Sequence, residues 1–262
     1  MKNTFLITLI VIGIVSLGVS TAQADEKNTL VSISADYWMP SIDANIKSSE
    51  LALIGTDINI IDDLGFDDSE SIPAFKASID LPLFPEILVS YFAIDSEATK
   101  QISKNIDFMG VTYSALDTVK SSYDITHYEA LLGFPIINAD IAKIELLVGA
   151  KYFEVESSIT SSLGVTKTET VDGPVPVVGA MLELNLPSKF RFSGVARGLQ
   201  VEIDNVDAKL YDIDASINYD FNRFFRASAG YRYFLLDAED TSTNDSVDIK
   251  FAGPYVGVTG SF

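Results

Sequence analysis

The chain has 262 residues, with 37 acidic and 18 basic side chains, and its formal net charge is −19. This charge disfavours nucleic-acid binding, which needs clustered lysines and arginines to neutralise phosphates. The lack of cysteine excludes disulfides and thiolate metal sites, yet 47% of the residues are hydrophobic, so a large apolar surface must be accommodated.

The first predicted element is an export signal. Lys2 precedes an apolar run, and Ala22 and Ala24 have the A-x-A spacing of a signal-peptidase site. The run is shorter than the ~20 residues of a membrane-spanning helix, so a transmembrane anchor is the less favoured alternative. We expect a signal peptide over residues 1–24, cleaved after Ala24, and one domain over residues 25–262.

The following region alternates apolar and polar residues with a period of two. In "KLYDIDASINYDF", the residues Tyr211, Ile213 and Ile217 share one face, and Asp212 and Asp214 share the other. This alternation is typical of β-strands that have one apolar and one polar face. The expected strands cover residues 29–39, 72–81, 86–104, 111–133, 141–158, 173–186, 189–203, 207–219, 223–238 and 247–262.

Two kinds of connection alternate between these strands. Short segments such as "LPLFPE" and "DFNR" alternate along the chain with longer polar segments such as residues 41–71 and "SSLGVTKTETVDG". Short turns on one side and long loops on the other are typical of outer-membrane barrels. We therefore predict an all-β fold: a single closed, antiparallel, up-and-down transmembrane β-barrel of about ten strands, with eight as the alternative.

The last strand is predicted to close the barrel. Val256, Val258 and Phe262 fall on one apolar face, and every backbone polar group in hydrocarbon must find a partner within the protein. We expect this strand to pair with the first, near residues 31–37, and these three side chains to face lipid.

The chain resembles a family of small, functionally uncharacterised outer-membrane β-barrel proteins of Gram-negative bacteria. The resemblance lies in "YWMP", "DINIIDDLGFDD", "LPLFPEILVSY", "GYRYFLLD" and "FAGPYVGVTGSF". It implies location in the outer membrane, contact with its lipid and lipopolysaccharide, and recognition of Val256, Val258 and Phe262 by the barrel-assembly machinery. The family brings no known activity or cofactor.

Residues for catalysis are few. His127 is the single histidine, and Glu129 shares its strand face, but no serine or aspartate completes a hydrolytic arrangement. We expect His127 at the rim or interface of the barrel and do not predict an enzyme. A lipid- or peptide-modifying enzyme is the most distant alternative.

The first long loop is acidic. Its carboxylates Asp62, Asp63, Asp67 and Asp68 form a minor candidate for Ca²⁺, without the spacing of an EF-hand. A solvated loop, linked through divalent cations to lipopolysaccharide phosphates, is the favoured interpretation, and no metal or other cofactor is predicted.

The polar faces predict a charged lumen. We expect a network that fills a narrow barrel and pairs cations with carboxylates on neighbouring strands. Its members are Arg191, Arg197, Asp212, Asp214, Arg226 and Arg232. The sequence favours a structural or surface-interaction role with acidic external loops, and the alternative is a narrow porin-like channel for ions or small solutes.

Overall fold

The computed structural model describes residues 30–47, 56–81, 84–243 and 245–262. The predicted signal peptide and its cleavage site lie outside the described residues. The strands are β1 (Leu30–Trp38), β2 (Ser41–Lys47), β3 (Ile58–Asn59), β4 (Ile72–Asp80), β5 (Glu86–Gln101), β6 (Ile106–Phe108), β7 (Val111–Tyr113), β8 (Thr118–Ala139), β9 (Ala142–Thr160), β10 (Thr166–Asn185), β11 (Phe190–Ile203), β12 (Val206–Asp220), β13 (Phe225–Asp240) and β14 (Asp245–Ser261).

Ten of these strands form a closed antiparallel barrel. The order around it is β1, β4, β5 and then β8 to β14, and β14 pairs back onto β1. Ser32 lies opposite Ser261, and Val31 and Phe262 exchange two backbone hydrogen bonds of 3.0 and 2.8 Å. The prediction of ten strands, closed by pairing of the last with the first, is confirmed.

The outer surface of the barrel carries an apolar belt. Alternation places these side chains outward, where a lipid-embedded barrel needs hydrophobic contact and where water would be unfavourable. Exposed members of the belt are Ile33, Tyr37, Phe75, Val89, Tyr128, Leu132, Leu146, Val148, Val178, Ile213, Ile217, Tyr231, Val256, Val258 and Phe262. No α-helix of the described residues has the length and hydropathy of a membrane span.

Several strands extend far beyond this belt on the side of the long connections. β8 has 22 residues and β10 has 20, whereas crossing lipid takes about ten. We call these extensions, together with β2, β3, β6 and β7, the head. Sequence patterns predicted loops over residues 41–71 and 161–172, and this was wrong in part, because β2 pairs with β14 and β10 begins at Thr166.

The head divides into two wings. β10 pairs with β11 only over Val178–Asn185, so the outer part of β10 pairs only with β9. Pro174 and Pro176 lie along this free edge, where a residue that lacks an N–H group costs no ladder hydrogen bond. β5, β8, β9 and the outer part of β10 therefore form one wing, and β11 to β14 with β2 form the other.

Candidate functional site

The interior of the barrel consists of three layers stacked along its axis. The outermost layer is an apolar core between the two wings of the head, which we call the outer core. Below it lies the charge layer, formed by Glu129, Lys151, Arg197, Asp212 and Arg232. The third layer, at the end with the short turns, is a polar cavity that we call the inner cavity.

The charge layer is centred on Asp212, whose side chain is fully buried. Its Oδ2 atom lies 2.7 Å from Nζ of Lys151, 3.0 Å from Nη2 of Arg197 and 2.8 Å from Nη2 of Arg232. Arg232 donates a second bond from Nε to Oδ1, at 3.0 Å. One carboxylate therefore holds three cations from three other strands.

Glu129 completes the layer from the opposite side. Its Oε2 atom lies 2.5 Å from Nζ of Lys151 and 2.8 Å from Nε of Arg197. The side chain of Lys151 is fully buried, and that of Arg197 is 7% exposed. Charges buried to this degree persist only with well-placed partners, because desolvation costs several kcal/mol for each ion.

A second group of charges lies beside this layer. Lys76 bridges Asp36 at 3.0 Å and Asp214 at 3.1 Å, and the hydroxyl of Tyr255 donates to Asp214 at 2.7 Å. The sequence placed Asp214 among the possible partners of the arginines, but its closest contacts are Lys76 and Tyr255. These groups connect β1, β4, β12 and β14 across the interior.

The remaining two predicted arginines lie near the short turns. Arg191 contacts Glu183 at 3.1 Å and Asp220 at 3.4 Å, and Arg226 contacts Asp220 at 2.6 Å. The structure thus brings Arg197 and Arg232 together on Asp212, whereas Arg191 and Arg226 share a carboxylate nearer the end of the barrel. The sequence analysis did not consider Asp220, which lies in "DFNR" at the predicted turn.

His127 is completely buried, so its predicted place at the rim was wrong. Its ring stacks on Phe92 with centroids 4.4 Å apart and tilts against Phe153 at 4.9 Å. Its Nε2 atom lies 3.4 Å from Nζ of Lys151. The histidine joins the charge layer to the apolar side chains above it.

The outer core blocks the barrel above the charge layer. Trp38, Phe92 and Phe234 are each at most 2% exposed, and the guanidinium of Arg232 lies 4.9 Å from the Trp38 ring. Residues from the first long connection enter this core as well. They are Ile58, Ile60, Leu64 and Phe66. An apolar cavity of about 50 Å³ remains within it.

The acidic segment that supplies part of this core forms no cation site in the described residues. Oδ2 of Asp63 accepts a bond from the backbone N–H of Asn59 and pairs with Lys104 at 2.7 Å. The backbone carbonyl of Asp62 accepts from Lys100. Asp67 and Asp68 belong to the same segment, whose Leu64 and Phe66 point into the head.

On the outward face of the wing that contains β5, β8 and β9, side chains from neighbouring strands lie side by side in rows. Tyr91, Tyr128 and Tyr152 lie opposite one another on β5, β8 and β9, at the outer limit of the apolar belt. Four residues farther out on each strand, Asp95, Asp124 and Glu156 form a second row. Tyrosine rows are typical of membrane interfaces, so the carboxylate row lies outside the lipid.

Asp124 lies at the centre of the carboxylate row, and its ionisation should make the stability of the head depend on pH. Partial burial, together with the charges of Asp95 and Glu156, raises the pKa of its carboxyl. A raised folded-state pKa adds stability below the unfolded pKa, about 4, and this stability is lost as pH rises through the folded value. Asp124→Asn should therefore stabilise the head at pH 7 by a few tenths to about 1 kcal/mol, with little effect near pH 4.

Urea unfolding in lipid vesicles at the two pH values measures this difference. Asp140→Asn, in the short turn between β8 and β9, is the matched control and should change the stability at pH 7 by less than about 0.5 kcal/mol, as for other surface substitutions. Equal stabilities of Asp124→Asn and the original protein at neutral pH would contradict the interpretation.

The inner cavity has a volume of about 800 Å³. Glu129 and Arg197 of the charge layer reach its deep end, while Asn138, Lys189 and Arg223 at the short turns line its mouth. Hydroxyl groups dominate one side. They belong to Ser32, Ser34, Ser78, Ser193, Ser216, Ser228, Thr259 and Ser261.

The fold is that of solved outer-membrane barrels. The outer membrane protease OmpT from Escherichia coli is 9% identical, with a TM-score of 0.56, over 88% of this chain and 97% of that chain. The attachment invasion locus protein Ail of Yersinia pestis is 10% identical, with a TM-score of 0.39, over 90% and 100%. No protein-family model and no curated protein sequence matches the chain. The likeness therefore shows the fold alone.

Proposed function

We propose that this protein is an integral outer-membrane barrel of a Gram-negative bacterium, sealed to solutes, whose role is structural or surface-interacting. Its external part is the head. The observation that carries the proposal is the packed outer core lying directly on the buried charge layer. A passive channel needs a continuous water path, whereas Trp38, Phe92, Lys151 and Asp212 are all at most 1% exposed.

The orientation follows from the lengths of the connections. In outer-membrane barrels the short turns lie in the periplasm and the long loops outside the cell. This rule places the head at the cell surface and the inner cavity toward the periplasm. It also places the tyrosine row at the outer leaflet, with the carboxylate row at the height of lipopolysaccharide headgroups.

The surfaces of the barrel suggest its immediate partners. We propose that the apolar belt contacts outer-membrane lipid and that the outer acidic rows meet lipopolysaccharide through divalent cations. Val256, Val258 and Phe262 lie exposed on the outward face of the closing strand. We propose that the barrel-assembly machinery recognises these three residues on this strand. The proposal gives His127 no catalytic role, because aromatic rings enclose it.

Planar-bilayer recording tests the seal. Residues 25–262, refolded and checked for insertion by heat-modifiable migration, should give no single-channel steps, because the outer core leaves no aqueous path. Reproducible steps whose ion selectivity changes in Arg232→Ala would establish the porin-like alternative instead. Protein that inserts into the bilayer but gives no measurable conductance would support the proposal of a closed lumen.

Cysteine labelling in cells tests the proposed orientation. The chain has no cysteine, so Ser162→Cys on the head and Ser228→Cys in the inner cavity each introduce a single thiol. A polyethylene-glycol maleimide too large to cross the outer membrane should label Ser162→Cys in intact cells. Ser228→Cys should react only after the outer membrane is permeabilised, and labelling of it in intact cells would show the reverse orientation.

A further inference from the structure

The inner cavity has the dimensions of a ligand site. Its volume of about 800 Å³ falls within the ~300–1,000 Å³ that small-molecule sites occupy. It is open at the short turns and closed at the charge layer, where Arg197 and Glu129 are nearly buried. A solute that enters it from the periplasm therefore has no exit on the other side.

The charge of the cavity differs from that of the whole protein. The chain carries 37 acidic and 18 basic residues, yet cations and carboxylates are equal in number around the cavity. The cations are Lys76, Lys143, Lys189, Arg191, Arg197, Arg223 and Arg226, and the carboxylates are Asp36, Asp80, Glu86, Glu129, Glu183, Asp214 and Asp220. The fold thus concentrates basic groups in this cavity while most acidic groups lie elsewhere.

Cations outnumber carboxylates locally at the mouth beside β11 and β13, where Glu183 and Asp220 are the counter-charges of Arg191 and Arg226. Lys189, Arg191, Arg223 and Arg226 line it there, and Asp220 is shared by the guanidinium groups of Arg191 and Arg226. The buried Nε of Arg191 has no hydrogen-bond partner in the described part of the chain. A guanidinium carries five N–H donors and binds carboxylate or phosphate oxygens well, so this pair of arginines can accept a further anion.

The wall next to these arginines is rich in hydroxyl groups. Ser32 bonds to Ser261 at 3.0 Å and Ser34 to Thr259 at 2.8 Å, and Ser228 lines the cavity on the adjoining strand. Each hydroxyl can both donate and accept, which matches the requirements of a ligand bearing several hydroxyl groups. An apolar ligand would instead leave the remaining donor and acceptor capacity of these hydroxyl groups unused.

We propose that the inner cavity binds a small polyhydroxylated anion from the periplasm, such as a sugar acid or sugar phosphate. Arg191 and Arg226 hold its oxyanion at the mouth, and the serine- and threonine-lined wall contacts its hydroxyl groups. This inference rests on the orientation and the closed lumen proposed above, but the site is separate from the head and does not depend on what the head contacts. The seal makes it a binding site rather than a stage of transport.

Isothermal titration of the detergent-solubilised protein tests the proposal with four probes: glucuronate, glucose 6-phosphate, inorganic phosphate and neutral glucose. At least one sugar anion should bind, and glucose should bind about tenfold more weakly or worse, because a charge-assisted hydrogen bond is worth more than a neutral one. Binding of glucuronate alone identifies a carboxylate site, and binding of glucose 6-phosphate alone identifies a phosphate site. Inorganic phosphate binding as tightly as the sugar phosphate would overturn the role of the hydroxyl wall.

Substitutions of the two arginines test whether the anion binds at the mouth of the inner cavity. Arg191→Gln and Arg226→Gln should each weaken binding about tenfold, whereas Lys120→Gln, which removes a cation from the outside of the head, should leave it unchanged. Heat-modifiable migration verifies folding of each protein. Modification of Ser228→Cys with a bulky thiol reagent should also abolish binding without touching any arginine. No binding of either sugar anion, or equal binding in all the variants, would overturn the proposal.

Discussion

Asp212→Asn is expected to lower the free energy of unfolding by about 3–5 kcal/mol, the range for breaking a buried ion pair by removing one partner. The asparagine keeps the shape of the side chain but loses its charge. Lys151, Arg197 and Arg232 would then remain buried with Glu129 as their main counter-charge, because Asp212 contacts all three. Few other single substitutions leave so much uncompensated charge inside the barrel.

Urea unfolding in lipid vesicles, followed by heat-modifiable migration, measures this loss. Asp207→Asn is the matched control, since it makes the same chemical change on the outward face of the same strand. Its effect should stay below about 0.5 kcal/mol, as for other surface substitutions. If the two variants unfold at the same urea concentration, Asp212 does not organise the charge layer.

Phe92→Ala is expected to destabilise the protein by about 3–5 kcal/mol, through lost burial and the cavity left behind. Phe92 is 1% exposed, stacks on His127 and packs edge-on against Trp38 with centroids 5.9 Å apart. It also lies under the guanidinium of Arg232, at 5.3 Å. The truncation therefore damages the contact between the outer core and the charge layer.

The same vesicle assay measures this change, with Leu163→Ala as the control. Leu163 lies at the tip of the β9–β10 hairpin and is 90% exposed, so its truncation should be nearly neutral. Equal stabilities for the two variants would mean that the outer core tolerates a large void, and the explanation of the seal by packing would fail.

The barrel strands were predictable because alternation is a local property. The apolar face formed by Tyr211, Ile213 and Ile217 can be recognised within one short segment, and the structure places these side chains on the exposed outer surface of the barrel. The same segment assigns Asp212 and Asp214 to the interior. Closure by β14 followed from a general requirement, namely that backbone groups in hydrocarbon must pair internally.

Two parts of the head, β2 and the outer part of β10, were missed because one is short and the other is polar. "SIDANIK" does alternate Ile42, Ala44 and Ile46 with polar residues, and this signal could have identified β2. In β10, the stretch from Thr166 has threonines on one face and Lys167 and Glu169 on the other, so neither face is apolar and there is no hydrophobic period. Its strand conformation comes from pairing with β9 rather than from its own pattern.

The contacts inside the barrel could not be predicted, because they depend on distances between side chains of different strands, which a sequence does not contain. His127 was expected at the rim or interface of the barrel because its segment offers no partner for catalysis. Its neighbours Phe92 and Phe153 come from β5 and β9, and no local pattern shows that they enclose it. The choice of Asp212 over Asp214 as the partner of the arginines depends likewise on the stagger between strands.

The pairing of β14 has a consequence for how the protein comes apart. Seven residue pairs join β14 to β1, and seven more, beyond Pro40, join it to β2. The N-terminal strands β1 and β2 thus lie end to end along β14 and pair with it over most of its length. Peeling the last strand away requires both ladders to break and the aromatic packing of Trp38 against Phe251 to open. We therefore expect the β14 pairings to raise the activation barrier to unfolding, so that the unfolding rate governs how long the folded barrel persists in the membrane.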